Sequence, residues 1–137
     1  MKIRWDFVTN SSSTSFVIIC QGKPNQEIFL TAMGAQKGSP LRPLFTKLYE
    51  VLCGKMVNAT DAIHSQYWGS VNSVPELVKR EISKTDANRA KEALANGRNV
   101  WIGKLDSDAG DVEAFFCCEP FEINHPKLRL NALRCVW

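Results

Sequence analysis

Phe16-Val17-Ile18-Ile19-Cys20 decides the fold of this 137-residue chain. Successive side chains of a β-strand point to opposite faces. An unbroken apolar run, β-branched at Val17, Ile18 and Ile19, therefore needs cover on both faces, which places its strand inside a sheet. On its N-terminal side, Thr9-Asn10-Ser11-Ser12-Ser13-Thr14-Ser15 reads as a hydroxyl-rich connection. Before it, Ile3, Trp5 and Phe7 alternate with Arg4 and Asp6 in the period of a half-buried strand. On its C-terminal side, Gln21-Gly22-Lys23-Pro24-Asn25 is a turn, and Ile28-Phe29-Leu30 reads as a third short strand.

The period then changes. Leu41, Leu44, Phe45, Leu48, Val51 and Leu52 recur at helical spacing, with Gly54 as the stop. Pro43 belongs in the first turn, because an interior proline costs about 3 kcal/mol. A shorter helix is predicted from Asn58 or Thr60 to Trp68, ended by Gly69-Ser70. Ser73-Val74-Pro75-Glu76 is a capping box, with Ser73 as the cap, Glu76 reaching back, and Leu77, Val78 and Ile82 as the apolar face. Thr85-Asp86 reads as a break and a second cap before a helix from Ala87 to Ala95 that ends at Asn96-Gly97. Asn99 to Leu105 and Val112 to Cys118 read as strands joined in a hairpin through Asp106 to Asp111. Phe121 to Ile123 and Leu128 to Val136 supply one more strand. Strands, then helices, then strands predict an α+β single domain over 1–137. Its largely antiparallel or mixed sheet is built from N- and C-terminal strands around a central group of three to four helices, with the 16–20 strand pairing to the last third of the chain.

Lys and Arg number 17 against 14 Asp and Glu, a net +3, with 45% hydrophobic and 23% charged residues. This balance excludes a disordered tail, a collagen-like chain and a highly charged nucleic-acid arm. No run approaches about eighteen apolar residues, so no membrane-spanning helix and no membrane partner are expected. The charge is segregated. Lys104 stands against Asp106, Asp108, Asp111, Glu113, Glu119 and Glu122, a net −5 over 104–122 that leaves +8 elsewhere, clustered at 37–55, 76–98 and 127–134. The five cysteines are odd in number and show no framework spacing, and the N-terminus lacks a signal-peptide core. Both point to a cytoplasmic setting with free thiols.

The most specific motif is Phe7-Val8-Thr9-Asn10-Ser11-Ser12-Ser13-Thr14-Ser15-Phe16-Val17-Ile18. It resembles the start of a family of small prokaryotic proteins that read close to FVTNSSSSSFIV, with Thr14 in place of one serine. The likeness extends loosely to the order of helix, Asn-Gly, strand, acidic turn and strand over 87–118. It implies a recurring family element and carries no activity with it. In physical terms the hydroxyls either close a tight loop through local bonds to the backbone, cradle an anion, or offer a surface to a partner. The run has no glycine and no Gly-Lys-Ser/Thr ending, so it is not a P-loop, and no Gly-x-Ser-x-Gly elbow makes a serine nucleophilic.

His64 and His125 are the only histidines available for a Cys–His pair with Cys53, Cys117, Cys118 or Cys135, and nothing in the flanking residues marks an activated thiol. Cys117, Cys118, His125 and Cys135 lack the paired knuckle of a zinc site, and neighbours on a strand face opposite ways. Asp106-Ser107-Asp108-Ala109-Gly110-Asp111 has its glycine one position early for a calcium loop and Cys117 where a bidentate glutamate belongs. Lys79, Arg80, Lys84, Arg89, Lys91 and Arg98 form the best basic set for nucleic acid. However, Glu76, Glu81, Asp86 and Glu92 interleave with them as on a solvated helix face, and Trp5, Trp68, Trp101 and Trp137 are not grouped with them in sequence.

The function expected is therefore a small cytoplasmic non-catalytic macromolecule-binding or adaptor protein, with no cofactor and no metal. Its contact residues are Asn10, Ser11, Ser12, Ser13, Thr14 and Ser15 together with Asp106, Asp108 and Asp111, and its partner is a protein or a second copy of the chain. One alternative is an enzyme acting on a phosphorylated or acyl substrate through the Ser/Thr run or a Cys–His pair. Another is a phage or mobile-element protein that interferes with a host nucleic-acid complex.

Overall fold

Strand β1 (Ser13–Cys20) lies in the middle of its sheet, as its double-sided apolar pattern requires. The computed structural model describes residues 13–69, 71–106, 110, 112–113 and 121–136, with the side chains of 133–136 excepted. The strand expected at Ile3 to Phe7 lies outside these residues. The other strands are β2 (Val57–Asn58), β3 (Asn99–Asp106), β4 (Phe121–His125) and β5 (Leu128–Val136), in the order β2-β3-β1-β5-β4. All the pairings among the described residues are antiparallel. Both neighbours of β1 come from the last third of the chain. Ser13 is opposite Asp106 on β3 and opposite Val136 on β5. Between Ser15 and Val17 the β5 register slips, so that β5 carries a bulge opposite Phe16.

The sheet is covered on both faces. Phe16, Ile18 and Cys20 of β1 point to one side, where they pack with Leu105, Leu128 and Leu130 against helices α1 (Gln26–Ala32) and α2 (Arg42–Lys55). Val17 and Ile19 point to the other side and meet α3 (Ala59–Ala62), α4 (Val74–Glu81) and α5 (Lys84–Ala95). Each fully buried Leu, Ile, Val or Phe contributes about 1.5–3 kcal/mol relative to exposure. The architecture is thus α+β, with an antiparallel sheet of N- and C-terminal strands and the helices between them in sequence. No helix among the described residues is long and apolar enough to cross a membrane.

Several local readings change. Ile28-Phe29-Leu30 is not a strand but the body of α1. Asn25 caps this helix by accepting a hydrogen bond from the Ile28 amide at 3.1 Å, and Phe29 and Leu30 are buried beneath it. Helix α2 has Pro43 in its first turn as expected, but it runs through Gly54 and stops at Met56, whose backbone is extended. The segment from Asn58 to Trp68 is two pieces. Asn58 caps α3, and Ser65 caps a 3-10 turn at Gln66–Trp68. Ser73 caps α4 as read, but the Glu76 carboxylate reaches the Asn72 amide, one residue before the cap. The cap of α5 is Ser83 rather than Thr85-Asp86, so Asp86 falls in the first turn. The seven residues from Thr9 to Ser15 are not all a connection, because Ser13, Thr14 and Ser15 already belong to β1. The hairpin from Asp106 to Asp111 does not form as read. Val112 and Glu113 are helical, and β3 is flanked by β1 and β2 instead. Residues 114–118 lie outside the described residues. The C-terminal strand is two strands, β4 and β5, turned at Pro126-Lys127.

Candidate functional site

The antiparallel register of β1 and β3 places Ser13 directly across from Asp106. The end of the Ser/Thr run and the start of the acidic block, far apart in sequence, thereby meet at one end of the sheet. Both line a cleft of about 690 Å³. Its wall is made where the chain leaves α2, forms the two-residue edge strand β2 and rounds the sheet edge into α3. This crossing contributes Lys55, Asp61 and Ser65. Tyr67 and Trp68 of the 3-10 turn complete it, with Lys104 from β3.

Lys104 organises this wall. Its ammonium lies 5.0 Å from the Trp68 ring centroid and 5.8 Å from that of Tyr67. The two rings meet edge to face at 5.4 Å. The ammonium is also 3.6 Å from Glu81 Oε1, which accepts a hydrogen bond from the Ser15 hydroxyl at 3.1 Å. Arg80 Nε donates to the other carboxylate oxygen of Glu81 at 2.9 Å, and its Nη2 donates to the Trp68 carbonyl. That reach depends on Gly69, which has φ +72°, and a Cβ there would lie 3.1 Å from Arg80 Nη1. Burial opposes ionisation of Glu81, but the Arg80 hydrogen bond, the Lys104 charge and the Ser15 hydroxyl outweigh it and hold the carboxyl below its ordinary value. Beneath the cleft, Glu113 is buried. It accepts from the Asp106 amide at 3.0 Å and pairs with Lys55 at 3.7 Å.

Of the residues expected to make contacts, Ser13 and Asp106 are half-buried at the cleft. Thr14 and Ser15 are buried, each with a partner, and sit under the surface rather than on it. Asn10, Ser11, Ser12, Asp108 and Asp111 lie outside the described residues. Lys55, Asp61, Tyr67 and Lys104 were not singled out from sequence. Trp68, which has no basic neighbours in sequence, has a lysine over its ring in space. The one available signal was Tyr67-Trp68 itself, an aromatic pair just before a Gly-Ser break.

The described thiols are not activated. Burial, more than any other influence, pushes Cys20 up to about 11, and burial also raises Cys53 despite the Tyr49 hydrogen bond and the charge of Lys23. His125 Nδ1 accepts from the Lys127 amide at 3.1 Å. Among the described residues no group of three or more His, Cys, Asp or Glu is placed to hold a metal ion. The basic helix set is partly committed within the chain, with Arg80 on Glu81 and Arg89 3.6 Å from Asp86. No family model matches this chain, and no curated protein or solved structure does either.

Proposed function

We propose that the chain is a small cytoplasmic adaptor that binds a basic segment of a partner protein in the cleft between β3 and the 3-10 turn and does no chemistry there itself. The observation that carries this reading is the meeting of Ser13 and Asp106 at the mouth of a cleft walled by Tyr67, whose side of the molecule is open. Tyr67 is 72% exposed, an uncommon position for a large ring unless a partner covers it. Lys55 and Lys104 are each held by a glutamate, whereas Asp61 is exposed and has no ion pair among the described residues. Asp61 therefore gives the opening a carboxylate without a cation among the described residues, which suits a lysine or arginine stacked on the exposed Tyr67 ring. Of the N-terminal motif that resembles small prokaryotic proteins, Ser13 is the described residue that reaches this cleft.

A photo-crosslinking residue placed at Tyr67 in living cells tests this. One discrete adduct with another protein is expected, absent when the same residue replaces Leu94 on α5 and lost in the Asp61→Asn variant. An adduct of twice the chain mass would identify a second copy as the partner. Equal adducts at positions 67 and 94, or none at 67, would overturn the reading.

A further inference from the structure

The opposite end of the sheet carries a second, differently charged surface. Three turns meet there. The turn after β1 brings Lys23, the turn between α5 and β3 brings Arg98, and the turn between β4 and β5 brings Lys127. These side chains line a cleft of about 310 Å³ whose lining includes no carboxylate. None of the three forms an ion pair among the described residues. Arg98 is half-buried, so its side chain is partly removed from water without an ion pair among the described residues. A second cleft of about 310 Å³ adjoins the first and shares Arg98 and Pro126 with it. It adds Arg89, Arg129 and His125, against the single carboxylate of Glu92. Arg129 and Arg89 lean on Asp86 beneath, so the uncompensated charge is concentrated at Lys23, Arg98 and Lys127.

Like charges gathered from separate turns repel one another, and an anion seated among them reverses that cost. A guanidinium flanked by ammonium groups matches a tetrahedral, multiply charged anion, because the Arg fork takes two oxygens while the lysines act as point charges. We propose that this end of the sheet is a phosphate site, with Arg98 as the anchor and Lys23 and Lys127 as its flanking charges. The phosphate belongs either to a small phosphorylated molecule or to a nucleic-acid backbone. The site is independent of the cleft at Tyr67, since β1 separates the two ends by roughly 20 Å at about 3.3 Å per residue.

The test is a titration of the isotopically labelled full chain, followed by amide resonances, with pyrophosphate and with a short oligothymidylate at moderate salt. Pyrophosphate is expected to move the amides of 21–25, 97–98 and 127–128, and Arg98→Ala is expected to weaken binding at least about tenfold. If oligothymidylate moves the same amides and competes, with a salt dependence that Lys127→Gln makes shallower, the source is a nucleic-acid backbone. If pyrophosphate binds and the oligonucleotide does not, the source is a small phosphorylated molecule. Shifts in neither titration, shifts centred on other basic residues, or an Arg98→Ala variant that binds as well as the parent would overturn the proposal. Should Arg98→Ala fail to fold, the Lys23→Gln, Lys127→Gln double variant carries the same prediction, because both side chains are exposed.

Discussion

Glu81 is ionised against its own burial, because Arg80, Lys104 and Ser15 all favour the carboxylate. Its folded-state pKa lies below the ordinary 4.5, so the unfolded chain takes up its proton first as acid is added. The stability that this group contributes is therefore complete well above pH 4.5 and is lost as pH falls below it. Glu81→Gln is expected to lower stability at neutral pH by about 1–3 kcal/mol, since it leaves Arg80 and Lys104 without their charged partner. It is also expected to flatten the acid limb of stability against pH, which denaturant melts from pH 7 down to pH 3 would reveal. An unchanged acid limb would mean that other carboxylates set it. The same residue explains why the setting of Ser15 was not legible in sequence. Its hydroxyl has a partner 66 positions away on α4, and no local pattern reports a bond of that span.

Gly103 shows how one strand tolerates its neighbour. It pairs with Phe16 across β1 and β3, and a Cβ there would lie 2.5 Å from the Phe16 ring and 3.0 Å from the Lys55 carbonyl. The ring occupies the space that glycine leaves. Gly103→Ala is expected to cost about 1–3 kcal/mol by overpacking, measured as a fall in the denaturant midpoint. Pairing it with Phe16→Leu should recover part of the loss if the ring is the obstacle. Between elements, Asp86 ties the start of α5 to β5. It is 1% exposed and accepts from Ser83, Asn131 and Arg129. Asp86→Ala removes the buried carboxylate that Ser83, Asn131 and Arg129 share, leaving the Arg129 guanidinium with Glu122 alone, and is expected to cost about 3–5 kcal/mol, against much less for a surface control such as Glu92→Ala. Elements with a long period or a paired cap were legible in sequence, namely β1, α2 and α4. The short apolar run at 28–30 was not, because three residues fit a strand and a helix equally well, and the cap at Asn25 decides between them. Gly54 misled for a related reason. A glycine can end a helix, but here the backbone becomes extended only two residues later, at Met56.

For the whole molecule, the central strand sets the order of opening. β1 is hydrogen-bonded on both sides and buried on both faces from Thr14 to Cys20. Its amides at 17–19 are expected to exchange with solvent only through global unfolding and to be the slowest in the chain, whereas those of α1 should exchange through local opening. Comparable rates in β1 and α1 would contradict this placement. The overall class of fold was readable because the apolar pattern changes from strand to helix and back to strand between thirds of the chain. The two clefts were not, because each is assembled from turns that only the antiparallel register brings together. Lys23, Arg98 and Lys127 belong to three separate stretches of sequence and become one surface only in the folded chain. The register of β1 with β3 and β5 also has a consequence in time. During synthesis the most apolar strand leaves the ribosome well before either of the strands that cover its edges. At roughly 5–20 residues per second it waits on the order of 5–20 s for them. Throughout that interval its two edges are open to pairing with other chains. The strand order of the sheet thus builds in an interval during which the chain's most apolar strand has neither of its neighbours.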